Sequence, residues 1–189
     1  MRAVSDEQLI EWVARGDASC LGTLFERHNR SVYQFCRQMT RQSVQSEDLV
    51  QEIFLKILRK AGSFRQQGSF KAWMFNIARN TTLDYLRQAK RRDELVPVDA
   101  STEPVVVDYR SAEVTAAGQQ NISLVARAIG NLPTAVQEVI WLGRFEFDTY
   151  EELGEALGCK PGAARVRMHR AMQQLNVEFE SINGAPIDV

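Results

Sequence analysis

Residues 46–60 read SEDLVQEIFLKILRK, and residues 69–92 read SFKAWMFNIARNTTLDYLRQAKRR. In the first stretch Leu49, Ile53 and Ile57, with Val50, Phe54 and Leu58 beside them, recur at helical spacing and form a broad apolar face. Ser46 is a suitable N-cap, and Glu47 and Asp48 then fall in the first turn, where carboxylates favour the helix dipole. Gly62 offers a stop and Ser69 a new start. The expected unit is two helices joined by a short loop.

Charge changes sign along this unit. It opens with Glu47, Asp48 and Glu52 around Gln51. From Lys56 to Arg92 the charges are Lys56, Arg59, Lys60, Arg65, Lys71, Arg79, Arg87, Lys90, Arg91 and Arg92, against Asp84 alone. Phe64, Phe70, Trp73, Phe75 and Tyr85 lie among them. Basic side chains neutralise phosphates, while aromatics and amides hold unstacked bases, so the combination suits single-stranded or opened nucleic acid. The competing reading is a solvated basic face over an ordinary aromatic core.

The rest of the composition narrows the class. A chain of 189 residues with 44% hydrophobic and 25% charged content has room for one large domain or two small ones, and its net charge of −1 conceals the segregation just described. No apolar run approaches the ~20 residues that cross a bilayer, and the first residues lack a signal peptide's apolar segment. The expectation is a cytoplasmic protein without membrane insertion. Cys20, His28 and Cys36 are spaced eight residues apart on one expected helix. Each step rises about 12 Å, far beyond the bonds of about 2.0 to 2.3 Å that zinc makes, so packed thiols are expected instead of a metal site. No Ser-His-Asp, Cys-His or phosphate-loop pattern occurs, and neither an enzyme nor a cofactor is expected.

Upstream, Ser5-Asp6-Glu7-Gln8 is a capping box opening a helix through Leu9, Ile10 and Val13, ended near Gly16. A longer helix follows from Ala18, with Leu21, Leu24, Phe25, His28, Val32, Phe35 and Met39 in phase. His28 on that stripe reads as a packed or hydrogen-bonded core residue. Downstream, residues 93 to about 118 carry Asp93, Glu94, Asp99, Glu103, Asp108 and Glu113 against Arg110 alone, with no sustained apolar period. They read as an extended acidic linker, whose negative charge also suits a basic channel. A second helical domain starts from about Gln119. Its end contains a helix-turn-helix: Thr149 to Glu152 caps a short helix, Gly158 turns, and Pro161 starts a second helix running to about Glu180. Leu153 and Leu157 are expected to pack against Val166 or Met168. The second helix shows Lys160, Arg165, Arg167, His169 and Arg170, a cationic face able to enter a major groove.

With these motifs in hand, the chain resembles bacterial sigma factors of the extracytoplasmic-function type, over roughly residues 5 to 175. SEDLVQEIFLKILRK is similar to that family's polymerase-binding helix. SFKAWMFNIARNTTLDYLRQAKRR is similar to its helix for melting and reading the minus-ten element. LPTAVQEVIWLGRFEFDTYEELGEALGCKPGAARVRMHRAMQQL is similar to its minus-thirty-five reader. The resemblance implies an all-α fold of two small helical domains joined by an acidic extended linker, the second with the helix-turn-helix. The divisions are region 2 at 1–95, the linker at 96–118, region 4 at 119–180 and a frayed tail at 181–189.

It also implies roles and partners. Asp48, Leu49, Gln51, Glu52 and Phe54 match the surface that docks on the beta-prime clamp helices of core RNA polymerase, and region 4 would meet the beta flap. Asn76, Arg79 and Asn80, with the loop from Phe64 to Ser69, match positions that capture a flipped promoter base. Arg87, Lys90, Arg91 and Arg92 would hold the backbone. Arg165 and His169 match base-contacting positions, and Arg167 and Arg170 phosphate contacts. An anti-sigma factor is a further implied partner. The chain departs from the family at Gly162-Ala163-Ala164-Arg165-Val166-Arg167, where Thr and Ser hydroxyls are usual, and at Gly154, where a branched apolar residue is usual. Glycine there is expected to loosen the helix by about 1 kcal/mol. Two other readings stay open: an autonomous helix-turn-helix regulator, and an RNA-binding protein using the basic aromatic helix.

Overall fold

The computed structural model describes residues 4–65, 68–93 and 116–183. Among these residues there are helices and connecting turns but no strand. The first half contains α1 (Asp6–Ala14), α2 (Ser19–Thr40), α3 (Ser43–Lys60) and α4 (Phe70–Asp93). The second contains α5 (Ala116–Asn131), α6 (Thr134–Trp141), α7 (Tyr150–Leu157) and α8 (Pro161–Asn183). A 3₁₀ turn at Ala61–Ser63 follows α3, and a π-helical turn at Leu142–Glu146 follows α6.

The core of the first half is built largely from the stripes expected of it, but Phe25 and Leu58, placed on those stripes by their spacing, stand exposed at 40% and 37%. Ile10, Leu24, Val32, Phe35, Ile53, Ile57, Phe70, Met74 and Phe75 are buried together. Short polar links then fix α1 across the others. The Ser5 capping box forms as read. Asp6 meets both Arg27 (2.5 Å) and His28 (2.6 Å), and the His28 ring lies 5.5 Å from that of Phe70. Glu7 reaches further and accepts a hydrogen bond from the Phe70 backbone N–H at 3.2 Å. A carboxylate thereby caps the positive end of α4 from another helix. Ser69 assists, accepting from the Ala72 N–H.

One boundary differs from the sequence expectation. The third helix begins at Ser43, and Ser46 lies inside it, fully buried. Its hydroxyl donates to the Gln42 carbonyl at 2.6 Å and meets Thr40 Oγ1 at 3.0 Å. A serine that bonds back onto the preceding turn is satisfied within a helix and does not mark its start. The buried Cys36 thiol meets Thr82 Oγ1 at 3.5 Å, and desolvation pushes its pKa up to about 12. It therefore stays a neutral packing group.

In the second half Leu142, Leu153, Ala156, Leu157, Ala164, Met168, Ala171, Leu175 and Phe179 are buried. Thr149 caps α7, Gly158 ends it in the left-handed conformation (φ 66°), and Pro161 starts α8, as read. Met168 turns inward while Val166 stands 49% exposed, which decides between the two expected packing partners. Gly154 also has a different meaning from the one expected. A Cβ there would lie 2.7 Å from the Cys159 carbonyl oxygen and 3.3 Å from the Pro161 nitrogen. Glycine lets the turn fold back against α7, and the close approach explains its presence despite the propensity cost.

The expected linker falls mainly on residues 94–115, outside the described residues; α5 begins at Ala116, ahead of the expected Gln119. The helix α8 runs on to Asn183, beyond the expected end near Glu180. No helix of the described residues is long and apolar enough to cross a membrane.

Candidate functional site

The residues singled out in the first half lie mainly on two helices, α3 and α4. On α3, Asp48, Gln51 and Glu52 are exposed. Leu49 and Phe54 are buried in the core, at 2% and 4% exposure, so these two hold the helix and do not offer side chains to a partner. Leu55, 52% exposed, stands in the register of the exposed set at i+3, i+4 and i+7 from its neighbours. The sequence reading did not single it out, although its phase, off the face of Leu49, Ile53 and Ile57, was the available signal. Glu52 pairs with Lys56 at 2.7 Å, and Lys56 also donates to Thr81 Oγ1 at 3.1 Å. The acidic end of α3 is thus tied directly to α4.

On α4, three polar side chains form a chain along one face. Arg79 Nη1 donates to Asn80 Oδ1 (3.3 Å), and Asn80 Nδ2 donates to Asn76 Oδ1 (3.2 Å). Phe64 packs edge-on against Trp73 with ring centroids 5.5 Å apart, at the mouth of the same helix. Further along, Arg87, Lys90, Arg91 and Arg92 are exposed in the last turns, where cations also favour the helix dipole. Arg87 is held by Asp84 at 2.8 Å.

In the second half, Arg165, Arg167, His169 and Arg170 are all exposed on α8, so the helix-turn-helix presents the cationic face expected of it. The Arg165 guanidinium lies 5.1 Å over the Tyr150 ring, a cation–π contact that pre-positions it at the start of the helix. Val166 adds one exposed apolar side chain to that face.

The structure also brings the two halves together in a way that sequence reading did not foresee. Arg79 donates to both carboxylate oxygens of Glu138, at 2.8 and 3.0 Å, and Glu138 is 2% exposed. Asn76 Nδ2 donates to the Glu155 and Ala156 carbonyls at the end of α7, at 3.3 and 3.2 Å. Lys71 reaches the Glu146 carboxylate (2.9 Å) and its backbone carbonyl (2.7 Å). Arg41 donates to the Gly130 carbonyl. The π-helical turn is what carries Glu146 and Phe147 to α4, where Phe147 meets Phe75 edge-on at 5.7 Å. Burial raises the pKa of Glu146, with its bond to Lys71 acting in the opposite direction. Of the α4 positions expected to capture a base, only Asn80 is exposed in this arrangement.

Comparison with known proteins matches the same two segments. The sigma-70 region 2 family model matches residues 24–92, and the sigma-70 region 4 model matches residues 122–175, together more than half of the chain. The chain is 28% identical to the ECF RNA polymerase sigma-E factor of Haemophilus influenzae, covering 95% of this chain and 97% of that one. It is 27% identical to the RNA polymerase sigma-H factor of Pseudomonas aeruginosa, over 94% and 95%. The fold is similar to that of CnrH, solved in complex with the cytosolic domain of CnrY. That match has a TM-score of 0.67 and 24% identity, covering 93% of this chain and 97% of CnrH. A second similar fold is the sigma factor RpoE of Bartonella quintana, solved with the anti-sigma factor NepR. There the TM-score is 0.66 and the identity 23%, covering 86% and 97%.

Proposed function

Because the chain belongs to the sigma-70 family, with relatives of the extracytoplasmic-function type, we propose that it is a dissociable initiation subunit of RNA polymerase that selects and opens promoters. The observation that carries this reading is the change of chemistry between two adjoining helices. A helix presenting Asp48, Gln51, Glu52 and Leu55 outward is tied through Lys56 and Thr81 to a helix lined with Asn76, Arg79, Asn80 and a cationic end. Docking the first on the polymerase clamp sets the second beside the DNA.

In this mechanism the exposed cations Arg87, Lys90, Arg91 and Arg92 hold the backbone by charge. Asn76, Arg79 and Asn80 then supply donors and acceptors to a base drawn from the stack near Phe64. Unpairing costs a few kcal/mol, offset by capture of the base and by contacts on both sides of it. The helix α8 enters the major groove of the minus-thirty-five element, with Arg165 and His169 at base edges and Arg167 and Arg170 on phosphates. An anti-sigma protein covering these surfaces is the expected regulator. No covalent chemistry is assigned to the chain.

The docking face is the part to test first. Asp48 is exposed, so Asp48→Arg reverses a charge without disturbing the core. Loss of core polymerase from a pull-down with an unchanged circular dichroism melt is the expected result. Undiminished retention of core by the folded variant would remove Asp48 from the interface. An autonomous helix-turn-helix regulator requires no such face.

A further inference from the structure

The first turn of α1 reaches the start of α4, beside the loop expected to receive a base. Phe70 opens α4, so its N–H has no partner within the helix. Half-buried Glu7 supplies one, accepting that hydrogen bond through Oε1 at 3.2 Å. One residue earlier, Asp6 holds the His28 ring at 2.6 Å, and that ring lies 5.5 Å from the ring of Phe70. Phe70 is therefore gripped from α1 twice, at its backbone directly and at its side chain through His28.

Phe70 in turn carries the aromatic corner of the candidate site. It is fully buried, and its ring centroid lies 6.2 Å from that of Phe64 and 6.1 Å from that of Trp73. Phe64 and Trp73 meet at 5.5 Å, so the three rings form a closed triangle. Phe64 and Trp73 are only half-buried and keep an outward surface. Trp73 precedes Asn76 and Asn80 at helical spacing, which puts all three on one face of α4. Displacing Phe70 would move the corner against the polar chain formed by Asn76 and Asn80. A misplacement of about 1 Å is enough to spoil a positioned contact.

We propose that Glu7 is a positioning residue for base capture: from α1 it fixes the N-terminal end of α4, and with it the Phe64–Phe70–Trp73 triangle, in the geometry that receives an unstacked base. Glu7 itself touches no base in this role. The role rests on the sigma-factor reading for what the corner receives, whereas the brace is a property of the free chain. A corner held in advance spares the protein the cost of ordering it when the base arrives. The bond matters more than the charge, because the neutral side-chain oxygen of Glu7→Gln can accept from the same N–H.

The test uses the full chain. Glu7→Ala removes the acceptor and Glu7→Gln keeps one. Gln8→Ala is the control, since it breaks the Ser5–Gln8 capping box and weakens α1 without touching the bond to α4. In the free proteins, amide exchange followed by NMR should be about tenfold faster at Phe70 in Glu7→Ala alone. Each variant is then joined to core polymerase and bound to a DNA fragment that the wild-type holoenzyme has selected from a random library. The fragment is used fully duplex, and again with its minus-ten segment left single-stranded on the non-template strand. Glu7→Ala should weaken binding of the single-stranded form about tenfold and leave duplex binding and core binding unchanged. Glu7→Gln and Gln8→Ala should stay within about threefold of wild type on both forms. Circular dichroism checks folding, and Glu7→Asp, one methylene shorter, replaces Glu7→Ala if that variant does not fold. Unchanged exchange at Phe70, an unchanged ratio between the two DNA forms, or an equal loss in Gln8→Ala would overturn the proposal. Tighter binding by Glu7→Ala would overturn it too, since the carboxylate would then only be repelling phosphate. Failure of the wild-type holoenzyme to select any fragment would sink the sigma-factor reading and the role in capture with it, while the exchange result would still measure the brace separately.

Discussion

Replacing Gly154 by alanine sets two physical effects against each other at the turn that aims α8. Helix propensity alone favours the change by about 0.8–1.0 kcal/mol, because Gly154 lies inside α7. Against it, the added Cβ would sit 2.7 Å from the Cys159 carbonyl oxygen, with the Lys160 carbonyl carbon at 3.4 Å. The obstructing atoms are backbone of a turn pinned by the left-handed Gly158 and the Cys159 N–H bond to the Gly154 carbonyl (2.8 Å), so they cannot swing aside as a side chain would. Overpacking of this kind costs about 1–3 kcal/mol. The net expectation is a loss of about 1 kcal/mol, localised to α7 and α8. Native-state hydrogen exchange read by mass spectrometry measures that directly, with amides of α7 and α8 exchanging about fivefold faster and those of α1–α4 unchanged. On the proposed reading of α8 as the helix that enters the major groove, tilting it should lower transcription most at promoters that depend on the upstream element. Slower exchange in α7, equivalent to about 1 kcal/mol of added stability, would refute the steric argument and return the site to propensity.

Two other perturbations follow from particular contacts. Arg165→Ala removes a guanidinium pre-positioned over Tyr150, so promoter variants should lose discrimination at one position of the upstream element, by about 1–3 kcal/mol if the contact is bidentate; an unaltered preference profile would take Arg165 out of base reading. Glu146 has its pKa raised by burial, so the folded chain binds that proton more tightly than the unfolded chain. Its contribution to stability is then full below the ordinary glutamate value and is lost as pH rises through the raised one. Melting temperatures of wild type and Glu146→Gln compared across that window should diverge with pH; parallel curves would contradict the assignment.

Much of this architecture was legible because its signals are local. The Ser5 and Thr149 caps, the Gly158 turn and the Pro161 start each depend on residues within one helical turn, and each forms as read. Roles were harder than phase. Leu49 and Phe54 lie buried on the apolar face that their spacing marked, so their side chains are not free for the docking role that the resemblance implied, while Leu55, off that face, is exposed. Ser46 has the right chemistry for a cap, yet it bonds back to Gln42 inside the helix. The contacts least legible are those between the halves. Nothing within either segment marks Glu138 as the partner of Arg79, or Glu146 as that of Lys71; their pairing follows only from how α6 and the π turn come to rest on α4. Counting basic residues finds the candidate site without finding what covers it.

The most direct test of promoter selection is run-off transcription with core RNA polymerase from the chain's own host, with and without the protein, on a library of promoter fragments. The account predicts new transcripts that require the protein and share two spaced elements upstream of their start points. Absence of such transcripts, together with failure of the immobilised protein to retain core polymerase, would contradict it and leave the helix-turn-helix to act alone.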